Sequence, residues 1–305
     1  MAKYRALILA GGALVALTRV VAAADLLPPP PALEPLPPAP MEFNGWYLRG
    51  DIGLGFNATA PSLAVSPDPL AAGIAAGTLN TDATNNFYNP TISASGFFDV
   101  GVGYQFNAWF RGDITEEFRG GGSFQTLEVL NEPTANGGHS SQQYADFYRA
   151  NLSSYITMVN GYADLGTWYG VTPYVGVGGG FAYNKLFGMT DTGFAFTGTN
   201  PASPVGGYLS DGSKWNFAWA LMAGLSVDVT QNLKLDIGYR YLDYGKFTSG
   251  TAHCLNGTGI GGSFSCQAYT VYSKNELASN DVRIGLRWMV DTETPMAPAP
   301  LVRKY

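Results

Sequence analysis

Between Trp46 and Val290 the sequence falls into eight runs in which apolar and polar residues alternate with a period of two. Successive side chains of a β-strand point to opposite faces, so such a run presents one apolar and one polar face. In the first run Trp46, Leu48, Ile52, Leu54 and Phe56 share one parity, and Tyr47, Arg49, Asp51 and Asn57 the other. The second sets Phe98, Val100, Val102, Tyr104 and Phe106 against Asp99 and Gln105. The third sets Phe110, Ile114 and Phe118 against Arg111, Asp113, Glu117 and Arg119, with Glu116 alone out of phase. In the fourth, residues 151–165, Asn160, Tyr162 and Asp164 share a parity with Ile156 and Met158, which leaves the phase open; the preferred reading turns Asn160 and Asp164 inward. The fifth pairs Val175, Val177, Phe181 and Tyr183 with glycines at 176, 178 and 180. The sixth, from Trp215 to Val229, sets Phe217, Trp219, Leu221, Ala223, Leu225 and Val227 against Asn216, Gly224, Ser226 and Asp228. Leu233, Leu235, Ile237, Tyr239 and Tyr241 oppose Lys234, Asp236 and Arg240 in the seventh, and Val282, Ile284, Leu286 and Trp288 oppose Asp281, Arg283, Arg287 and Met289 in the eighth.

Most of these runs reach the roughly 9 to 11 residues that a tilted membrane-spanning strand needs, and exceed the usual soluble strand of about 5 or 6. Their connections alternate in length. Long polar or Gly/Ser/Thr/Asn-rich segments cover about 57–94, 120–150, 186–214 and 245–279, and tight joins lie at Asn107-Ala108, Gly166 to Gly170 and Thr230-Gln231-Asn232. The expected fold is therefore all-β: an eight-stranded antiparallel transmembrane β-barrel with short periplasmic turns and four long extracellular loops. A soluble eight-stranded barrel would bury its apolar face instead. Aromatic placement opposes that alternative, because Trp46, Trp109, Trp168, Trp215, Trp219 and Trp288 fall near strand ends, where girdles form at the lipid interface.

The chain opens with Lys3 and Arg5, an apolar run from Ala6 to Leu17, and small residues at Val21 to Ala24, the order of a secretory signal peptide. That run is shorter than the roughly 20 residues of a spanning helix. Cleavage is expected after Ala23, and removing Lys3, Arg5 and Arg19 with no acid takes the net charge from −6 to −9, which argues against nucleic acid as a partner. The expected organisation is a signal peptide at 1–23, a Pro-rich periplasmic linker at 24–43, the barrel at 44–290 and a Pro-containing tail at 291–305. The linker, with Pro28 to Pro31 and Pro37-Pro38, reads as extended polyproline II, a spacer of some tens of ångströms at about 3.1 Å per residue.

Cys254 and Cys266 lie in one Gly/Ser-rich segment of an exported chain and are expected to form a disulfide that contributes about 3 kcal/mol by closing a short loop. His139 and His253 fall in expected loops without a neighbouring nucleophile or acid, and Gly176 to Gly180 lacks the Lys-Ser/Thr of a phosphate loop; no enzyme, metal site or cofactor is expected. The glycines instead make room in a narrow barrel. The inward set, Arg49, Asp51, Asp99, Arg111, Asp113, Glu117, Arg119, Lys234, Asp236, Arg240, Asp281, Arg283 and Arg287, mixes both signs. In an eight-stranded barrel the interior is just wide enough for side chains, so these charges are expected to pair and block a continuous channel.

The segments Gly45-Trp46-Tyr47-Leu48-Arg49-Gly50-Asp51-Ile52-Gly53, Asn160-Gly161-Tyr162-Ala163-Asp164-Leu165-Gly166, Pro173-Tyr174-Val175-Gly176-Val177-Gly178 and Asp281-Val282-Arg283-Ile284-Gly285-Leu286-Arg287 carry a family likeness. With them the chain resembles the porin-family, or outer-membrane immunogenic, proteins of alphaproteobacteria, within the OmpA-like and opacity-type eight-stranded barrels. The likeness covers about residues 44–290 and specifies a barrel better than a function. It departs where family barrels end on an aromatic residue: here the chain runs on past Trp288 to Val302-Arg303-Lys304-Tyr305. The exposed Ala24-Asp25 is similar to the amino termini of alphaproteobacterial barrels joined covalently to peptidoglycan, which would make Ala24 the attached amine. The leading functional expectation is thus a structural barrel that supports the envelope, with a wall tether through Ala24 and Asp25. The alternatives are an adhesin acting through its loops and a small solute channel. The expected partners are outer-membrane lipid and lipopolysaccharide, peptidoglycan, and host or environmental surface ligands.

Overall fold

The computed structural model describes residues 45–77, 79–132, 142–197, 203–254 and 269–290; the expected leader, linker and tail lie outside the described residues. Eight strands form the wall: β1 (Gly45–Asn57), β4 (Ser95–Gln105), β5 (Phe110–Glu132), β6 (Gln142–Asp164), β7 (Val171–Thr197), β9 (Gly212–Asp228), β10 (Leu233–Gly245) and β13 (Leu277–Met289). Between them lie β2 (Leu63–Ser66), α1 (Pro69–Ala75), β3 (Thr84–Ile92), β8 (Ser203–Leu209), β11 (Ala252–Cys254) and β12 (Thr270–Ser273). Each wall strand pairs antiparallel with the next, β7 bonds β9, and β13 bonds β1, so the sheet closes on itself as an eight-stranded barrel. Closure matters physically, because a strand edge facing lipid would leave backbone N–H and C=O groups with no partner.

The tight joins are built from residues suited to them. Asn107 Oδ1 accepts from the N–H groups of Trp109 (3.0 Å) and Phe110 (2.8 Å), and Thr230 Oγ1 accepts from Asn232 (3.3 Å) and Leu233 (3.1 Å). Side-chain oxygens of this kind hold the chain in a turn by capping backbone donors. The β6–β7 turn instead uses left-handed backbone at Gly166, Tyr169 and Gly170.

The apolar parity of the runs faces outward: Trp46, Ile52, Leu54, Phe98, Val177, Trp215 and Trp288 are all exposed on the wall. The opposite parity is buried. The open phase of the fourth run resolves with Asn160, Tyr162 and Asp164 inward, together with Ile156 and Met158. Polar and apolar residues share that face because the lumen has two layers. Its periplasmic part is ionic, whereas its outer part is an apolar plug that includes Phe124, Ile156, Met158, Leu242, Phe247 and Val271. Inward glycines on β7 leave space for this filling, since a Cβ on Gly176 would lie 2.5 Å from Tyr162 and one on Gly178 2.2 Å from Asn160.

The expected loops are more ordered than their composition implies. Three strands overshoot the barrel, β5 to Glu132, β6 from Gln142 and β7 to Thr197. β3 pairs with the upper part of β5, β8 with the upper part of β7, and β11 with β8, so the overshoot continues the wall strands as a wider sheet beyond the barrel. β12 pairs with β2, which joins the first and last of the long connections. Their composition reads as loop because acids and tyrosines alternate with apolar residues on the inner face, and the contrast between the two parities disappears.

Candidate functional site

The lumen is held by interlocked ion pairs reaching across the barrel. Arg49 donates to both oxygens of Asp51 (2.8 Å each) and, through Nη1, to Asp113 (2.8 Å) and the Tyr162 hydroxyl (2.8 Å). Asp113 also accepts from Tyr47 (3.0 Å) and Asn160 (2.8 Å). On the other side Asp281 collects Arg119 (2.7 Å), Arg240 (2.7 Å) and Ser279 (2.7 Å), while Glu117 ties the same two arginines together. Arg283 pairs with Asp51 (3.2 Å), and Arg287 with Asp236 (3.3 Å) and Ser226 (2.8 Å). Lys234 pairs with Asp228, and its side chain is the least enclosed of the set. Asp99 is buried directly across from Asp51, with one oxygen unpartnered.

Arg111 is fully buried and donates to Asp164 at 3.2 Å. Its guanidinium lies 4.2 Å from the Tyr162 ring centre and 4.8 Å from that of Tyr174. Its terminal nitrogens have no hydrogen-bond acceptor, so the two ring faces provide the negative potential that stabilises them. Asp164, Tyr47, Tyr162, Tyr174, Ser226 and Ser279 thus join the predicted charges. Their inward parity was the available signal for Tyr47, Tyr162 and Asp164; nothing marks a tyrosine in advance as an arginine platform.

Above the ionic layer Phe124 and Phe247 stack edge to face at 5.3 Å, both fully buried. Filled by ion pairs below and by this plug above, the lumen is a packed core.

The mouth of the barrel carries a second polar cluster, outside the membrane-spanning segments. Glu128 lies directly across from Asp146, and Tyr148 across from Asp191. Tyr148 donates to Glu128 (2.7 Å) and meets Tyr269 (2.9 Å), which donates to Asp191 (3.2 Å). Tyr269 enters from the last long connection, so the cluster docks that connection onto β6 and β7. Burial, with the charges of Asp191 and Glu128, pushes Asp146 up to about 8; burial pushes Asp191 up to about 6, against the Tyr269 hydrogen bond. Burial also raises Glu128, against hydrogen bonds from Tyr148 and Asn85.

His253 stacks on Tyr208 at 4.9 Å, and His139 lies outside the described residues. Among the described residues no group of His, Cys, Asp and Glu is placed to hold a metal ion. Cys254 ends β11, but its side chain and the whole of Cys266 lie outside the described residues, and with them the predicted bridge.

No protein-family model matches the chain. An uncharacterized protein of Brucella abortus is 33% identical over 237 residues, 75% of this chain and 78% of that protein. The outer membrane protein PagN of Salmonella typhimurium is 29% identical over 199 residues, 62% of this chain and 70% of PagN. A Rickettsia conorii protein named as a candidate adhesin is 28% identical over 225 residues, 70% of this chain and 74% of its own length. Among solved structures, Neisserial surface protein A superposes with a TM-score of 0.38 and 14% identity, over 80% of this chain and 97% of that one.

Removing one partner of a buried ion pair leaves the other charge without compensation and costs about 3–5 kcal/mol. Asp281→Ala, which strands Arg119 and Arg240, is therefore expected to lower the unfolding free energy in lipid vesicles by about that amount. Lys185→Ala, which breaks an exposed pair with Asp211, should cost under about 1 kcal/mol. Urea titration of the two variants measures the contrast.

At the mouth, Asp146 and Asp191 are raised above their ordinary 3.8, so the folded cluster holds more protons than the unfolded chain. Docking is then firmest at acid pH and weakens as pH rises through about 6 and about 8. Amide exchange over residues 269–273, corrected for its intrinsic pH dependence, should accelerate between about pH 5 and 9, and Asp146→Asn should flatten the change. Equal protection at both pH values would refute the coupling.

Proposed function

The chain belongs to one family with the uncharacterized Brucella abortus protein, and we propose that it serves as a surface-interaction protein whose barrel anchors a folded head above the outer membrane. It is an outer-membrane barrel of a Gram-negative bacterium: a closed eight-stranded wall, apolar outside and girdled by aromatics, with a role in the envelope or at its surface. The observation that carries the finer reading is that β5, β6 and β7 overshoot the wall and, with β3, β8 and β11, build a sheet where loops would have sufficed for a plain anchor. The packed lumen weighs against a solute channel. The Rickettsia conorii relative, named for adhesion, points the same way. On this reading the partners are outer-leaflet lipid and lipopolysaccharide around the wall and a host or environmental ligand on the head. The Cys254–Cys266 disulfide would stiffen the connection beyond β11. No residue is assigned a catalytic role.

The test is to replace residues 123–151, the overshooting β5–β6 hairpin, with a short turn and display both forms at equal surface level. Attachment of cells to epithelial or abiotic surfaces should fall at least severalfold in the shortened form. Unchanged attachment, with the barrel folded, would reject the reading.

A wall tether is a second role compatible with the first. The Pro-rich spacer at 26–43 supports it, as does the Ala24-Asp25 terminus expected after removal of a signal peptide. It also agrees with the narrower reading of the chain as an alphaproteobacterial porin-family barrel. Detergent-boiled sacculi should release the protein only after lysozyme digestion, with muropeptide mass on Ala24. Complete extraction without lysozyme would discard the tether.

A further inference from the structure

In the wall β1 and β4 are paired without a break from Gly45 against Gln105 to Gly55 against Ser95. Above Ser95 the two sides of this seam part. β3 carries on from β4 in the same register along β5, since Ile92 opposes Phe124 as Gly96 opposes Gly120. The chain leaving β1 turns instead to the last long connection. The Ala58 N–H donates to the Ala278 carbonyl (2.8 Å), the Ser62 carbonyl accepts from the Lys274 N–H (2.7 Å), and β2 pairs with β12. Asn57 marks the fork, its side-chain amide donating to the carbonyls of Ile92 (3.1 Å) and Ser93 (3.2 Å). Beyond the fork lies a polar cleft of about 370 Å³, with residues 60–63 on one side and β3 on the other.

Both sides of the cleft are strand edges. Asn85 and Phe87 reach inward, to Glu128 (2.6 Å) and the Tyr148 ring, whereas Asn86 is exposed on the other face. All three line the cleft, so it meets β3 edge-on. Among the described residues, no backbone hydrogen bond of residues 84–88 leaves on the side away from β5, and none of residues 60–66 on the side away from 270–278. Exposed edges are ordinarily guarded by a lysine, a proline or a bulge. Residues 84–88 read Thr-Asn-Asn-Phe-Tyr, and the register shift with Pro90 comes only at the barrel end of β3. Neither side is free to close on the other, because Leu63 from one and Phe87 from the other are each packed on the apolar plug.

We infer that this cleft receives an extended peptide segment of another protein, which adds as a strand between β3 and the β2 side and makes one sheet of two. The alternating N–H and C=O groups of a strand edge are matched in sequence by another extended backbone, and a sugar or a lipid headgroup lacks that repeat. Lys274 is exposed and is the one charged side chain in the lining, so the segment is favoured when it places an acidic residue there. The inference rests on the surface-interaction reading and gives the head a ligand class.

The probe is a pooled library of decapeptides, threonine or valine at alternate positions and any residue between, added to the full-length protein in lipid nanodiscs. Amide exchange over residues 60–66 and 84–88 should slow at least fivefold. The same library N-methylated at alternate residues, which cannot donate along one edge, should give no such slowing. Peptides recovered from the protein should be enriched in aspartate and glutamate, and Lys274→Glu should reverse that preference with heat-modifiable folding unchanged. Four results would each overturn the inference: no slowing, equal slowing by the N-methylated library, an acidic preference that survives Lys274→Glu, or uniform protection of residues 84–88 in the free protein. The last is what filling of the cleft by the chain's own residues 133–141 or 255–268 would produce. Absence of peptide entry, with attachment still lost on shortening the β5–β6 hairpin, counts against the cleft alone; attachment unchanged on shortening counts against the surface-interaction reading.

Discussion

A backbone in hydrocarbon has no water to turn to, and the rest of this structure follows from that constraint. Every N–H and C=O between the girdles must bond to a neighbouring strand, so the sheet has to close, and here it closes with eight strands. Eight strands leave an interior about as wide as the side chains that line it. What fills that interior is then decided by parity alone, because a residue one position along points into lipid. The charges at Arg49, Asp51, Arg240 and Asp281 are inside because each alternates with Leu, Ile, Tyr or Val, which belong outside.

Burying so many charges is costly unless each finds a partner of opposite sign at hydrogen-bonding distance. The lumen meets this by sharing. Asp281 serves Arg119 and Arg240, Asp51 serves Arg49 and Arg283, and Glu117 closes the circle. Most of these pairs join strands far apart in sequence, so they form only when the barrel has closed in the correct register. Such a network contributes more to choosing one register over its neighbours than to net stability, since a slip of one residue would put guanidinium groups into lipid. The outer part of the lumen needs no such selection and is apolar, packed by Ile156, Met158, Phe124 and Phe247.

The wall was legible in the sequence because lipid on one side and a polar lumen on the other give the period-two signal its greatest contrast. Where that contrast fails, so does the reading. The fourth run was ambiguous because β6 crosses from the ionic layer, with Asn160 and Asp164, to the apolar plug, with Met158 and Ile156, on a single face. The overshooting strands were hidden for a related reason: outside the membrane neither face must be apolar, and Glu128, Asp146 and Asp191 alternate with residues no more polar than they are. The Tyr162–Arg111–Tyr174 stack was out of reach for a third reason. It depends on the register of β5, β6 and β7, which parity constrains but does not specify.

The same contrast is broken in two places on the outer wall. Glu116 is the one break in the third run's alternation, an outward carboxylate that accepts a hydrogen bond from Thr157 on the neighbouring strand. The aromatic rows of Phe147 and Phe194 are the reverse violation, apolar where the surroundings are aqueous. Both lie on the strands that overshoot the barrel, and these strands also carry the head. A barrel with a packed lumen and a lipid-matched wall acts only through what departs from that match. Here the departures lie in the extracellular sheet and on the outer wall of β5, β6 and β7, and the proposed surface-interaction role rests on the sheet that these strands build above the membrane.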